Sequence, residues 1–312
     1  MSTNEPVTIY VPRDSTALAL GANEVAAAIA AEAQKRGQSI KLVRNGSRGM
    51  FWLEPLVEVA TAAGRVAYGP VAPEDVSGLF DAGLLAGGQH TLHLGLTEEI
   101  GFLKNQERLT FARVGIIDPL SLEDYLAHEG YAGLKNALAK TPEAIVQQMI
   151  DSGLRGRGGA AFPTGIKWQT VLRAPAAQKY VVCNADEGDS GTFSDRMIME
   201  DDPFTLIEGM TIAAVAVGAT EGYIYVRSEY PHAIATMNDA IAIATRAATW
   251  AMTFWVPANP SAWKCARAPE PTFAAKKPPC SKAWKASAAW CAPSRRCRPS
   301  RACSASRPSS TT

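Results

Sequence analysis

The chain has 312 residues, 47% hydrophobic and 20% charged, which is ordinary for a soluble globular protein. The net charge of +1 is the sum of two regions of opposite charge. Residues 249–312 contain 11 Lys and Arg and one acidic residue, whereas residues 1–248 contain 20 Lys and Arg and 29 Asp and Glu. No apolar run approaches the roughly 18 residues that a membrane span needs, and the N-terminus lacks a signal-peptide pattern. Cys183 is the single cysteine before residue 249. Together these features predict a reduced, cytoplasmic protein.

Residues 6–100 are predicted to form a small α/β domain of the thioredoxin-like type. "VTIYV", "SIKLVR" and "GRVAYGPV" are strand-like runs. The Ala-rich segment Glu24–Gly37 predicts a helix that ends at Lys, Arg and Gly, and "PEDVSGLFDAGLLAGG" predicts a closing helix. An iron–sulfur cluster in this domain would need Cys ligands, normally four, and the domain has none, so we predict that it binds no cluster.

A connector over residues 106–140 is followed by "TPEAIVQQMIDSGL". Its Thr141-Pro142-Glu143 start places a capping residue before a proline at the first helical position. We therefore expect an amphipathic helix here that leads into two informative loops.

The first loop is "GLRGRGGAAFPTGIKW", Gly153 to Trp168. Its glycines permit close backbone approach to a ligand, so that successive N–H groups can converge on an anion. Arg157 and Lys167 supply counter-charge for phosphate, and Phe162 offers a flat face for ring stacking. The alternative interpretation is a flexible basic loop.

The second loop follows the short strand "YVVC" and carries Asn184, Asp186, Glu187 and Asp189. Polar groups at the carboxyl end of a strand, close to a glycine loop, are typical of nucleotide sites in open α/β sheets. Carboxylates there can hold ribose or ribityl hydroxyls, and the Asn184 amide can meet the edge of a ring. The alternative is a solvated acidic turn.

Together, "GLRGRGGAAFPTGIKW" and "VVCNADEGDSGTFSDR" resemble the flavin- and NADH-binding, 51 kDa-type subunit of respiratory complex I and its soluble relatives. These relatives include NAD-dependent formate dehydrogenases and NAD-reducing hydrogenases. The likeness continues through "DPFTLIEGMTIAAVAVGATEGYIYVRSEYPHAI" and covers roughly Phe111 to Ala244.

The resemblance implies that FMN and NAD are the cofactors and assigns their site residue by residue. Phe162 would lie at the nicotinamide end, Lys167, Asn184, Asp186 and Glu187 would face the flavin, and Asp189 the dinucleotide. The full set of implied cofactor-binding residues is Gly156, Arg157, Gly158, Gly159, Ala160, Ala161, Phe162, Pro163, Thr164, Gly165, Lys167, Asn184, Asp186, Glu187 and Asp189. No catalytic acid or base and no metal ligand is assigned. Ala161, where the family usually has Gly, adds a methyl group that weakens a tight ligand contact; Ser190, where Pro is usual, matters less.

The family activity is that of a diaphorase, which exchanges a hydride between NAD(H) and FMN and relays electrons to or from iron–sulfur clusters. The long Cys-free N-terminal region most resembles the β subunit of soluble formate dehydrogenases, so we predict the other subunits of such a complex as partners. The alternatives are a peripheral subunit of an NADH:quinone oxidoreductase or NAD-reducing hydrogenase, or a non-catalytic truncated docking remnant. The family's 4Fe-4S cluster would find no ligands, because its cysteines come later than the last residue here.

Residues 249–312 admit three interpretations. A basic arm that binds nucleic acid would fit the charge, yet five of the seven Trp lie here, and disordered arms are usually poor in aromatic residues. A metal module would fit the five Cys, yet the segment has no CxxC pair and no His. The third interpretation is translation out of phase, since Gly, Leu, Ile and Tyr are all absent from these residues.

The genetic code favours the third interpretation. Reading one base earlier, the single codons of Trp and Met force seven residues, and all seven fit the next segment of the flavoprotein family. We therefore predict a frameshift near Ile243–Ala248. The predicted organisation is α/β: a thioredoxin-like domain without cluster ligands (1–105), a connector (106–140), the first half of an incomplete FMN/NADH-binding domain (141–248) and a disordered, out-of-frame tail (249–312).

Overall fold

The computed structural model describes residues 5–157, 159–251 and 263–267. All of them belong to one compact unit, Met1–Pro269. They build two sheets with helices packed against them, so the fold is α/β as predicted. No helix in these three ranges is long and apolar enough to cross a membrane.

The first sheet has five strands in the order β2-β1-β3-β4-β5. The strands are β1 (Val7–Tyr10), β2 (Ile40–Val43), β3 (Val57–Thr61), β4 (Gly64–Tyr68) and β5 (His93–Leu96). β1 and β2 are parallel, while the other neighbouring pairs are antiparallel. A parallel βαβ unit extended by an antiparallel hairpin is the thioredoxin-like arrangement that the sequence predicted. We call residues 5–104 the five-stranded layer.

Four helices belong to this layer: α1 (Ser15–Ala19), α2 (Ala22–Lys35), α3 (Val76–Asp81) and α4 (Gly101–Lys104). The predicted helix Glu24–Gly37 is confirmed with a shift of two residues, and its apolar face, including Val25 and Ile29, is buried in the sheet's core. The closing helix predicted from "PEDVSGLFDAGLLAGG" is present as α3 but covers much less of that segment. It ends at Asp81 because Gly83 and Gly87 adopt left-handed φ angles of 80° and 75°, which turn the chain out of the helix.

The connector contains α5 (Leu122–Ala127) and α6 (Ala132–Leu138). Its earlier part binds the five-stranded layer through backbone carbonyls: Asn45 Nδ2 donates to Gly115 O at 2.7 Å and Arg65 Nη2 donates to Ile116 O at 2.7 Å. These bonds fix the point at which the chain leaves the first sheet.

The second sheet is parallel, with the order β6-β7-β8. Its strands are β6 (Tyr180–Ala185), β7 (Glu221–Val226) and β8 (Trp263–Arg267), and its helices are α7 (Pro142–Asp151), α8 (Thr164–Arg173), α9 (Ser194–Asp201), α10 (Pro203–Val217) and α11 (Pro231–Ala251). The predicted cap of α7 is confirmed, because Thr141 Oγ1 accepts from Ala144 N at 3.2 Å. A core that includes Phe204, Ile224 and Met237 packs α10 and α11 against the strands.

Two parts of the predicted tail are described. α11 continues three residues beyond the predicted boundary, to Ala251, and residues 263–267 pair with β7 through the backbone in parallel register. This strand is regular structure inside the segment predicted to be disordered, and it forms because the edge of β7 offers unpaired backbone groups. The rest of the tail prediction lies outside the described residues. The boundaries at 105 and 140 stay predictions.

Candidate functional site

The glycine-rich segment forms a closed loop at the N-terminus of α8. Gly156 N donates to Phe162 O and Thr164 N donates to Leu154 O, each at 2.9 Å, so the two arms of the loop are joined like a short hairpin. We call residues 154–164 the glycine loop. The tip is exposed at Arg157, Gly159 and Ala160, and Gly158 lies outside the described residues.

The glycines of this segment serve different purposes. A Cβ on Gly159 would meet no atom within 4 Å, so this position is open to solvent. A Cβ on Gly165 would lie 2.6 Å from both Cγ1 and the backbone N of Ile150 on α7. Gly165 is therefore required for the close packing of α8 on α7, which fixes the direction in which the glycine loop emerges.

Ala161 adopts a left-handed backbone, with φ of 43°. A residue with a Cβ is strained there, because the Cβ crowds the following carbonyl oxygen. The sequence indicated that this alanine departs from the family pattern, and its conformation supplies a physical reason why glycine suits the position.

Cationic side chains surround the glycine loop. Arg155, Arg157 and Lys167 are all exposed, and Arg155 Nη1 donates to Ala161 O at 3.3 Å. Lys167 Nζ lies 5.8 Å from the centre of the Phe162 ring, and that ring is 45% exposed. Pro163 precedes α8 without a side-chain cap, so the first backbone N–H groups of the helix are free of side-chain partners at the cap. A helix N-terminus, exposed cations and an exposed aromatic face together suit a phosphate-bearing ring compound.

The second predicted loop begins at the carboxyl end of β6. We call residues 184–193 the carboxylate loop. Asn184 Oδ1 accepts from Asp186 N at 3.1 Å, which turns the chain sharply after the strand. Asn184 and Asp189 are exposed, and Asp186 is half-buried, so all three can present oxygen atoms to a ligand.

Glu187 differs from its neighbours, because its carboxylate is bound within the protein. It accepts from the backbone N of Asp195 at 2.8 Å and of Arg196 at 3.2 Å, and from Tyr230 Oη at 3.1 Å. Its own backbone has a left-handed φ of 47°. The resemblance implied that Glu187 faces the flavin, whereas the described contacts direct both carboxylate oxygens to the N-terminus of α9, because unpaired N–H groups there attract an anion.

The sequence analysis did not identify Arg227 and Tyr230, which follow β7. Arg227 Nη1 donates to Glu187 O at 3.0 Å, and the Arg227 guanidinium lies 5.2 Å from the centre of the Tyr230 ring. The available signal was the run "YVRSEY", in which a cation directly follows a strand of a parallel sheet. Because β6 and β7 are parallel, their carboxyl ends share one edge of the sheet.

The two loops lie at the same end of the second sheet. α8 begins at the glycine loop, and six residues after its end the chain reverses into β6, which ends at the carboxylate loop. Trp168 and Leu172 of α8 pack in the same core cluster as Val181 of β6. The helix N-terminus and the strand's carboxyl end therefore face the same side, as in nucleotide-binding α/β folds.

Two titratable groups beside the carboxylate loop are perturbed. Burial, reinforced by the Asp195 carboxylate, raises the pKa of the Cys183 thiol to about 11, so this cysteine is a neutral thiol at physiological pH. Burial and the neighbouring Glu187 carboxylate raise the pKa of Asp195. Among the described residues, no group of three or more His, Cys, Asp or Glu is arranged to hold a metal ion.

The arrangement is an α/β layer with a cationic glycine loop and a polar strand end on one side. Residues 149–266 match the family model described as the Nuo51 FMN-binding domain.

Curated proteins are similar to part of this chain. The NADP-reducing hydrogenase subunit HndC of Solidesulfovibrio fructosivorans is 51% identical over 138 residues, which are 44% of this chain and 28% of the relative. An NADH-quinone oxidoreductase subunit of Rhizobium meliloti (strain 1021) is 50% identical over 137 residues, 44% of this chain and 32% of the relative. The chain thus spans about three tenths of the length of these relatives.

A solved structure of an NAD⁺-reducing [NiFe]-hydrogenase in the air-oxidized state is similar at a TM-score of 0.38 and 21% identity. The similarity covers 84% of this chain and 42% of that one.

Proposed function

We propose that this chain is part of a diaphorase that exchanges a hydride between NAD(H) and FMN and passes electrons to or from iron–sulfur clusters. The observation that carries the proposal is the shared position of the glycine loop and the carboxylate loop, at one end of a parallel sheet, within a segment that matches an FMN-binding domain family. FMN would supply the hydride and single-electron chemistry, and the protein would supply binding and orientation.

The glycine loop is proposed to hold the phosphate-bearing part of the cofactors. Gly156, Arg157, Gly158, Gly159 and Ala160 would provide backbone N–H groups and positive charge near the N-terminus of α8. Ala161, Pro163, Thr164 and Gly165 would shape the loop. Phe162 would stack on a ring at the nicotinamide end, and its exposure leaves a face free for that contact.

The carboxylate loop is proposed to orient the flavin and the dinucleotide. Lys167, Asn184 and Asp186 would contact the flavin, and Asp189 would accept from hydroxyls of the dinucleotide. Glu187 would contribute indirectly, by holding the loop on α9 through the bonds described above. No side chain is assigned as an acid or base, because hydride exchange between the two cofactors requires neither at the protein.

We further propose that the complex is a soluble, NAD-dependent formate dehydrogenase and that its other subunits are the partners. The long N-terminal region supports this choice by resemblance. A peripheral subunit of an NADH:quinone oxidoreductase or of an NAD-reducing hydrogenase is the second candidate, favoured by the names of the relatives above. The scarcity of cysteine before residue 249 supports a cytoplasmic location.

The proposed frameshift makes the activity testable in two forms of the protein. The coding DNA is expected to contain a one-base shift between codons 243 and 249. The chain as printed and a frame-repaired chain should be purified side by side and compared for flavin absorbance and NADH–ferricyanide reduction. We expect repair to produce or strongly increase both signals, because it restores the later flavin-binding segments of the family.

Two variants of the repaired chain sharpen this test. Lys167→Ala and Asp186→Asn should each weaken FMN or NADH binding at least tenfold, whereas Lys140→Ala, remote from both loops in the sequence, should leave it unchanged. A repaired chain that gains neither flavin nor NADH oxidation would overturn the diaphorase assignment. Such a chain that still co-purifies with partner subunits would support the third candidate, a non-catalytic docking remnant.

A further inference from the structure

Helix α9 connects the carboxylate loop with the five-stranded layer. It begins at Ser194, directly after the loop, and ends at Asp201. Eight residues of α-helix span roughly 12 Å. Both ends of this short rigid element make charge-assisted hydrogen bonds to other parts of the fold.

The N-terminal end of α9 holds the carboxylate loop. Phe193, the residue before the helix, makes no side-chain cap, and Glu187 replaces one by accepting from the N–H groups of Asp195 and Arg196 at 2.8 and 3.2 Å. An anion in this position also interacts favourably with the helix dipole. The backbone of Glu187 is thereby fixed, together with the turn that carries Asp186.

The C-terminal end of α9 holds the five-stranded layer. Glu200 accepts from Ser15 N at 2.8 Å and from Ser15 Oγ at 2.6 Å, at the start of α1. Asp201 accepts from Ser47 N at 3.2 Å. The fit is close, since a Cβ on Gly46 would lie 2.4 Å from Asp201 Cβ.

Arg196, in the first turn of α9, contacts both the five-stranded layer and the carboxylate loop. Its Nη2 donates to Thr16 Oγ1 of the five-stranded layer at 3.1 Å. Its guanidinium lies 4.6 Å from the centre of the Phe193 ring in the carboxylate loop. A displacement of α1 would therefore act on the loop at two points along one helix.

We propose that α9 is a strut through which the five-stranded layer sets the position of the carboxylate loop, and that Glu200 is a positioning residue for the site at that loop. That the carboxylate loop binds cofactors rests on the proposed function. The coupling between α1 and this loop is independent of the proposed function, because it depends only on contacts within the protein. The five-stranded layer, which contains no cysteine, thereby gains a role in shaping the site at the carboxylate loop.

Buried carboxyl groups at this junction make the coupling strong. Glu200 and Asp201 are 1% and 0% exposed, and Asp14 and Glu54 of the five-stranded layer are 1% and 4% exposed. Asp14 Oδ1 and Asp201 Oδ1 have no hydrogen-bond partner among the described residues. Breaking the bonds to Ser15 would leave a carboxylate buried without partners, which costs much more than losing an exposed pair.

The coupling is tested by hydrogen exchange on the full chain without any cofactor. Glu200→Ala removes both bonds to Ser15, whereas Glu200→Gln keeps an oxygen that accepts from Ser15 N and an amide N–H that can donate to Ser15 Oγ. We expect Glu200→Ala to speed exchange of the amides in residues 186–193 roughly fivefold or more, because both charge-assisted bonds to Ser15 are lost. Glu200→Gln should stay within about twofold of the unmodified chain, and the amides of the glycine loop should stay unchanged in both variants.

Two outcomes would overturn the strut. One is unchanged exchange of the carboxylate loop in Glu200→Ala while Ser15 and Thr16 lose protection. The other is an equal loss of protection throughout the chain, which would mark Glu200 as a general stability residue. Should Glu200→Ala fail to fold, Ser15→Ala weakens the same contact from the other side, and it must also speed exchange of the carboxylate loop for the proposal to stand. Flavin content plays no part in these measurements, so their result is independent of the diaphorase assignment.

Discussion

The Glu187 carboxylate lies 2.8 Å from the backbone nitrogen of Asp195 and thereby caps a helix from outside it. Glu187 belongs to the loop that precedes α9, so one side chain joins the loop to the helix that follows. The same side chain accepts from Tyr230 Oη at 3.1 Å, which adds the segment after β7 to the contact.

The first prediction concerns this cap. Glu187→Ala should lower the free energy of unfolding by about 1–2 kcal/mol, because it removes the partners of two backbone N–H groups. Glu187→Gln should lose less, since the amide oxygen still accepts from one of them. Urea denaturation measures both effects. Glu107→Ala, at an exposed loop acid, serves as the control and should stay within about 0.5 kcal/mol; equal losses at both sites would contradict the cap.

The second prediction concerns pH. Burial, reinforced by the Asp14 carboxylate, raises the pKa of Glu54 to about 8. Because the pKa in the folded state exceeds that in the unfolded state, the stabilising contribution is complete below the unfolded pKa of roughly 4.5 and is lost as pH rises through about 8. The free energy of unfolding should fall by up to about 1.4 kcal/mol per pH unit across this window.

Glu54→Gln removes this titration while keeping polar atoms near Ser47 and Leu56. We expect thermal unfolding of the variant to vary less between about pH 5 and about pH 8 than that of the unmodified chain. Some dependence should remain, because burial also raises the pKa of Asp14 and Asp201. Glu74→Gln, at an exposed position, should preserve the original profile. Identical profiles for all three proteins would refute the assignment.

The third prediction uses two glycines of one segment. Gly165→Ala should destabilise the protein by about 1–3 kcal/mol, because its Cβ would overlap Ile150, including the backbone nitrogen, which cannot be repacked. Gly159→Ala should change stability by less than about 0.5 kcal/mol, since its Cβ points into open space. Chemical denaturation of the pair checks the difference. A harmless Gly165→Ala would show that α8 and α7 do not pack as closely as described.

The fourth prediction concerns the left-handed residue of the glycine loop. Ala161→Val should lower the free energy needed to open the glycine loop by about 1 kcal/mol more than Ala160→Val does. The reason is that a β-branched side chain is strongly disfavoured at positive φ. Ala161→Gly should have the opposite effect and make the loop amides exchange more slowly. Hydrogen exchange over residues 155–163 measures all three, and indistinguishable valine variants would remove the case for strain at Ala161.

Local sequence patterns predicted the elements that local interactions determine. The Thr141 cap, the strand "YVVC" before Asn184 and the glycine loop each follow from a few adjacent residues, and all three are present. β3 and β5 were not predicted, because their pairing partners rather than their own composition define them. The closing helix was predicted too long, since the left-handed conformations at Gly83 and Gly87 depend on the surrounding layer.

The contacts of α9 could not be predicted from its own sequence. "MEDDP" resembles an exposed acidic end, yet Glu200 and Asp201 are buried, because their partners Ser15 and Ser47 lie 185 and 154 positions earlier. Arg227 and Tyr230 were missed for the same reason: their partner Glu187 belongs to the preceding strand–loop segment. Hydrogen bonds between residues this far apart produce no repeating pattern in the sequence from which they could be predicted.

The close seat of Asp201 against Gly46 also bears on whether the protein can be dissected. A fragment that starts at Thr141 would keep the second sheet and its helices but would leave the buried Glu200 and Asp201 without their donors Ser15 and Ser47. Such a fragment should be poorly soluble on its own. The five-stranded layer is thus an integral part of the folded unit, and removing it would not yield a smaller stable protein.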